Sequence, residues 1–386
     1  MNQNVFTMNT HTLSKTATPV LERLLRNRVL NREELVAAHN TYYYTNGGTV
    51  SIDLPEKSET IPNRIKEFSE VHHFDTAFVS VVEHAELFSS WGIGKTGTDK
   101  MILETTSNGD QTTQLWNTAP RFWEKVARDY VRDKKSTPIE LSGTYFPLFG
   151  RWNGYFHWLF DHLPKLEGVE RYEEETGESV TIILPPSPSQ WMKESLRHVG
   201  YTSNNWIEWE WEHASTEKLL VPSLRRSRDI LDPTAVFWLR NRVFSNSPSS
   251  NCDNDEFSRR IYVSRRDATT RKVINEVELM NAIRKYGFEL YVPGKLSFQD
   301  QVQLYSQADM VVGPHGSNLA NIVFSSDTDI IEFSYEPIGS ACYHGISEIL
   351  DIDYRFVTAK NKGGDIRVDV EKIEEAIINY LNNGSV

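Results

Sequence analysis

Two stretches of the chain carry side chains whose types and spacing suit chemistry. The first is residues 153–164, NGYFHWLFDHLP, where His157 and Asp161 stand four residues apart. On a helix that spacing puts both on one face. A carboxylate beside an imidazole can orient or tune it, an arrangement fit to take a proton from a hydroxyl. We assign the base to Asp161, with His157 as its orienting partner; the reverse assignment uses the same two residues. The plain alternative is an aromatic helix with one satisfied His–Asp pair. Asn153 has the right type to cap such a helix. A metal on this pair needs a third ligand that the sequence does not identify.

The second stretch is Gly313-Pro314-His315-Gly316-Ser317-Asn318, between an apolar strand pattern and an apolar helix pattern. Backbone N–H groups at a helix start bind anions, and a glycine lets an anion approach the backbone closely. Ser317 and Asn318 add side-chain donors. Ser264-Arg265-Arg266 ends another strand pattern, with Arg271 and Lys272 just beyond. Parallel strands would bring these cations to the same edge as His315, where ligands of open α/β sheets bind. Arginine forks suit a diphosphate. Glu332, late in the strand DIIEFS, is placed to hold ribose hydroxyls, and the turn at Pro293-Gly294 to sit beside a base. The competing readings are an ordinary strand-to-helix turn, a solvated basic loop and a strand-end glutamate facing water.

These residues need a scaffold, and the apolar periodicities supply one. Residues 140–222 alternate strand and helix: SVTIILP, QWMKESLRHVG, WIEWEW, KLLVP. Residues 259–334 repeat the alternation with RRIYVSR, FELYVP, DMVVGP and TDIIEFS as four buried strands. Strands alternating with helices predict parallel sheets with both faces covered. Between the two runs lies FSNSPSSNCDNDEFS, the best linker candidate. Upstream, residues 1–15 read as a disordered tail and 18–44 as helical, with a capping box at Asn31 and Glu34. TAFVSVVEHAELF and KMILETTS read as strands, and 118–134 as a helix.

Several motifs are declined. Gly92-Ile93-Gly94-Lys95-Thr96-Gly97 matches G-x-G-x-x-G, but a strand pattern follows it instead of a helix. The Asp-x-Asp pairs at 253, 327 and 351, and His72-His73 with Asp75, are expected by chance in an acidic chain. The formal charge is −12 over 386 residues, which argues against a polymer of phosphates as partner. Two cysteines, Cys252 and Cys342, suit reduced thiols in a cytoplasmic protein. No signal peptide or membrane-spanning run is visible.

Taken together, NGYFHWLFDHLPKL, RRIYVSRRDATTRKVINEVEL, YGFELYVPGKLSFQDQVQLYSQADMVVGPHGSNLANIVFSS and the strand ending in Glu332 resemble glycosyltransferase family 61 from about residue 140 to 335. The resemblance implies a GT-B architecture, two Rossmann-like α/β domains facing a cleft that holds a nucleotide-sugar. It implies inverting chemistry, as in the family's protein O-linked N-acetylglucosaminyltransferases and plant xylosyltransferases. On that basis residues 1–60 form an N-terminal extension and 61–245 the acceptor-side domain. Residues 246–368 form the nucleotide-sugar-binding domain, and the helix in 369–386 packs back on the first domain. The donor is a UDP-sugar held by Ser264, Arg265, Arg266, Arg271, Pro293, His315, Gly316, Ser317, Asn318 and Glu332. No metal or cofactor is expected. The acceptor is a hydroxyl of a glycan or glycolipid, in surface polysaccharide or capsule assembly, with the protein cytoplasmic or at the inner face of the membrane. Ser317-Asn318 departs from the family's pattern of a small residue and then glycine after His-Gly. A nucleotide-sugar or glycan-binding protein without turnover is the alternative; a dehydrogenase built on residues 92–97 is weaker still.

Overall fold

The structure is a computed structural model and describes residues 28–106, 120–133, 136–246 and 257–383. The expected tail and the first part of the 18–44 helix, most of the linker, and Cys252 lie outside these residues. The chain is α/β, built on two principal sheets.

The first sheet has nine strands and is mixed. His213–Pro222, Ile139–Pro147, Val180–Leu184 and Trp206–Glu208 run parallel in that order. Phe78–Phe88 joins them antiparallel to His213–Pro222. The antiparallel half departs from a Rossmann-like sheet for a local reason. A turn with Gly92 at φ +60° folds Ile93–Lys95 straight back onto Phe78–Phe88, and only antiparallel neighbours can be joined so tightly. A Cβ on Gly92 would meet the Phe149 ring at 2.7 Å, so glycine is required there twice over. The declined glycine motif is therefore a strand and turn. Its Lys95 is buried between Glu86 (2.7 Å) and Asp133 (2.5 Å). Those two carboxylates and His213 have metal-ligand spacing, but the Lys95 ammonium already lies against both acids.

The second sheet is parallel throughout, in the order Phe288–Tyr291, Arg260–Val263, Met310–Pro314, Asp329–Ser334, Asp353–Thr358. The four expected strands are present. The fifth, DYRFVT, is masked in sequence by Asp353 and by Arg355, whose guanidinium is buried against the Ala376 carbonyl. The helix Val370–Asn383, expected to return to the first domain, packs instead on Glu276–Ile283 and on the last two strands of this sheet. Ile373 and Ile377 are fully buried there, covering an apolar sheet face that would otherwise meet water.

One apolar core spans both sheets. It includes Phe146 and Leu220 from the first, Ile261, Val311 and Phe356 from the second, and Trp158 and Phe324 from helical turns packed on them. The expected N-terminal extension contributes as well. The capping box at Asn31 and Glu34 opens a short helix, Arg32–Ala38. The stretch beyond it is extended, and Asn40–Tyr43 pairs with Phe78–Phe88. Residues 53–58 reach the edge strand of the second sheet and the helix Cys342–Leu350, where the Asp53 carbonyl accepts from His344 Nε2 at 2.7 Å and Ser58 Oγ accepts from Phe356 N at 2.9 Å.

Candidate active site

The helix carrying His157 is irregular. Tyr155–His157 is α, Trp158–His162 widens to a π turn, and Leu163–Lys165 tightens to 3₁₀. Single π turns inside helices recur at functional sites. Gly154 occupies the N-cap, not Asn153. Asn153 instead clasps Gly150 through both its amide atoms, at 3.1 and 2.9 Å, and so closes the 150–153 loop.

The expected pair forms. His157 Nδ1 lies 2.6 Å from Asp161 Oδ2. Asp161 is buried, and Arg226 Nη1 reaches both its oxygens at 3.0 and 3.2 Å. Burial alone would push this carboxyl up, but Arg226 and then His157 outweigh it and hold it well below the usual carboxylate range. An ionised carboxylate only accepts, so Nδ1 of His157 donates to Asp161. The imidazole is about one-third exposed while Asp161 is 5% exposed at its side chain. The imidazole, not the carboxylate expected to be the base, is thus the more exposed partner of the pair. Trp152, 46% exposed, stacks on the His157 ring at 5.8 Å. His162 donates to the Trp152 carbonyl at 2.8 Å. Burial, with Lys165 second, pushes His162 down to about 4, so it stays neutral.

The second sheet builds the other half. Numbered along the chain, its strands lie in the order 2-1-3-4-5. The order reverses between Arg260–Val263 and Met310–Pro314, and ligands of doubly wound sheets bind outside the carboxyl ends at that reversal. The residues there are Ser264-Arg265 and His315-Gly316. Arg265 is buried, and its guanidinium lies against Gly316 so closely that a Cβ there would sit 1.7 Å from Nη1. Its Nε makes no hydrogen bond and Nη2 makes only a 3.4 Å bond to the Thr270 carbonyl. Burial, then repulsion from Arg271, pushes its pKa down. A buried, under-satisfied guanidinium facing a glycine-bare backbone is well suited to an anion.

The remaining expected residues divide. Asn318 donates to the Ser264 carbonyl at 2.9 Å, tying the two loops together. Ser317 follows Gly316 in a short 3₁₀ run, Ser317–Phe324, where an α-helix was expected. The Pro293-Gly294 turn abuts the Arg265 loop, since a Cβ on Gly294 would meet Asp267 Oδ2 at 2.4 Å. Arg271 lies near Arg265 in a left-handed backbone conformation. Ser264 and Arg266, by contrast, are engaged by Glu276, at 2.5 and 2.6 Å. Glu332 is buried and bonded to His315 Nδ1 and, at 2.7 Å, to the Tyr354 hydroxyl. Each of its oxygens thus carries one bond within the protein, and the residue is 2% exposed.

The halves meet through aromatic rings. Phe156 packs edge-on against Tyr343 at 6.0 Å, and Tyr343 against His315 at 5.2 Å. Tyr155 donates to Asn321 Oδ1 at 2.6 Å across the same junction. Arg226, Glu276, Tyr343 and Tyr354 were not singled out from sequence. Only Arg226 left a trace, as part of an Arg-Arg pair just beyond the strand KLLVP.

Comparison with known proteins bears on the same residues. Residues 155–331 match the family described as Glycosyltransferase 61. The EGF domain-specific O-linked N-acetylglucosamine transferase of Pan troglodytes is 27% identical over 108 residues, 27% of this chain and 20% of that protein. The Mus musculus protein of the same name is 28% identical over 100 residues, 25% of this chain and 19% of its own length. That of Gallus gallus is 26% identical over 108 residues, 27% and 20% respectively. The aligned stretch spans about a fifth of the length of these relatives. No helix among the described residues is long and apolar enough to cross a membrane.

Proposed function

We propose that this chain, which matches glycosyltransferase family 61 over residues 155–331, belongs to that family and is an inverting glycosyltransferase with two lobes arranged in the GT-B manner. It moves a sugar from a nucleotide-sugar, a UDP-sugar in our reading, to a hydroxyl of a glycan or glycolipid. The setting is surface polysaccharide or capsule assembly at the cytoplasmic face of the membrane.

The observation that carries this reading is Arg265, buried with an unsatisfied Nε at the reversal point of a parallel sheet. In the proposed reaction Arg265 and the backbone N–H groups after Gly316 hold the diphosphate and stabilise charge on the leaving UDP. Arg271 adds field from the rim, and Asn318 keeps the two loops in register. This set answers the diphosphate charge without a metal. His157 Nε2 takes the proton from the acceptor hydroxyl as its oxygen attacks the anomeric carbon opposite the leaving group. Trp152 offers an exposed ring beside that base for a sugar of the acceptor.

Thermal shift with a panel of nucleoside diphosphates tests the donor site. UDP is expected to stabilise the parent and not Arg265→Ala. His157→Gln is expected to keep the UDP shift and lose sugar transfer by about 10²- to 10⁴-fold. Stabilisation by NAD alone, with no UDP effect, would overturn the reading.

A further inference from the structure

We infer that Arg226 is a positioning residue that keeps His157 deprotonated, and that the hairpin carrying it ties the base to the donor loop. The inference rests on the reading of His157 as base and goes beyond it.

Arg226 opens a two-stranded hairpin, Arg226–Ser227 with Ile230–Leu231. Its Nη1 bridges both Asp161 oxygens, and its Nε donates to the Arg228 carbonyl at 2.7 Å, which fixes the guanidinium plane. The turn of the hairpin is anchored twice. Asp229 accepts from Arg64 at 2.9 and 3.1 Å and from the Ala341 backbone N at 3.1 Å. Ala341 precedes the helix Cys342–Leu350, which bears Tyr343 against His315. Ile230 fills the space over Gly345 of that helix, where a Cβ would lie 2.8 Å from its Cδ1. One short hairpin therefore grips the base-orienting carboxylate at one end and the helix behind the donor loop at the other.

The electrostatic consequence follows from the pairing. A lone buried carboxylate against an imidazole favours the imidazolium, which cannot act as a base. Here Asp161 answers two partners, so Arg226 offsets the field that would otherwise hold a proton on His157. The other groups facing this pair are His162 and Lys165 from the same helical run, and Arg151, whose guanidinium lies over Trp152. Asp229 and Cys342 face Arg226 from behind. Burial, more than any charge, pushes the Cys342 thiol up to about 12, so it is neutral. Arg226 and His157 are both bonded to Asp161, near enough for loss of the guanidinium charge to shift a protonation midpoint by about one to two pH units.

The test titrates the His157 ring by NMR on histidine-labelled protein, with the signal identified by its loss in His157→Gln. In Arg226→Met the midpoint is expected to rise by about one to two units. Turnover of UDP-N-acetylglucosamine, or whichever UDP-sugar is used fastest, should fall about 10- to 100-fold at pH 7 and recover by pH 9, with the UDP thermal shift unchanged. Adding Asp161→Asn to Arg226→Met should bring the midpoint back down. If Arg226→Met does not fold, Arg226→Gln keeps a donor to Asp161 without the charge, and the same rise is expected. An unmoved midpoint, or a loss of turnover equal at all pH values, overturns the inference. Full turnover in His157→Gln would instead overturn the base assignment, and the ring titration would still judge Arg226.

Discussion

Gly316→Ala separates the donor site from the fold. Gly316 has an extended backbone, φ 162° and ψ 169°, which alanine adopts without strain. The added Cβ would lie 1.7 Å from Arg265 Nη1 and 2.4 Å from its Cζ, where ordinary contact begins near 3.4 Å. The guanidinium must therefore retreat by almost 2 Å, the difference between 3.4 and 1.7 Å. It leaves behind little within the protein, because the guanidinium is tied there by one long bond to Thr270. Unfolding free energy in urea should change by no more than about 1 kcal/mol. UDP affinity should fall much more. Each charge-assisted hydrogen bond lost to the diphosphate is worth about 1.5–3 kcal/mol, or roughly 10- to 150-fold in Kd. Isothermal titration with UDP reads this directly. On an Arg265→Ala background the same change has nothing to displace and should cost nothing more, the non-additivity expected of two residues in contact. A Kd within twofold of the parent, or an undiminished penalty on that background, would refute the placement of Arg265 at the diphosphate.

Three further outcomes follow. Asn318→Gly removes the 2.9 Å bond to the Ser264 carbonyl, so UDP binding should weaken by about 2- to 10-fold by the same titration. The Asp161 carboxyl is held low in the fold. It therefore contributes stability above its unfolded value near 4, and that contribution is lost as pH falls through 4 and below. Asp161→Asn should be less stable than the parent at pH 7, with the gap beginning to narrow only as pH falls below 4 in urea melts. Asp329 is the opposite case: burial and then Asp353 push it up to about 6, so its ionisation costs stability as pH rises from 4 through 6. Asp329→Asn should melt higher than the parent at pH 7 and equally at pH 4, and an equal melting temperature at pH 7 would contradict the sign.

The His157–Asp161 contact was legible because four residues of helix bring two side chains together regardless of what surrounds them, even where the helix widens to a π turn. The strands of the second sheet were legible because strands buried on both faces must be apolar throughout. DYRFVT was missed for the complementary reason, since its arginine finds a partner only after the terminal helix has packed. The mixed character of the first sheet turned on one glycine whose handedness no periodicity reveals.

Helical spacing brought His157 and Asp161 together, and strand ends brought Arg265 near Gly316, as local spacing and sheet topology are sequence-near properties. Which of them is available for chemistry was decided by tertiary structure. Arg226, 65 residues beyond Asp161, claims that carboxylate. Glu276 neutralises Arg266, and Tyr354 with His315 consumes Glu332. Burial and long-range partners set the charge and exposure of a side chain, and both come into being only when distant segments pack.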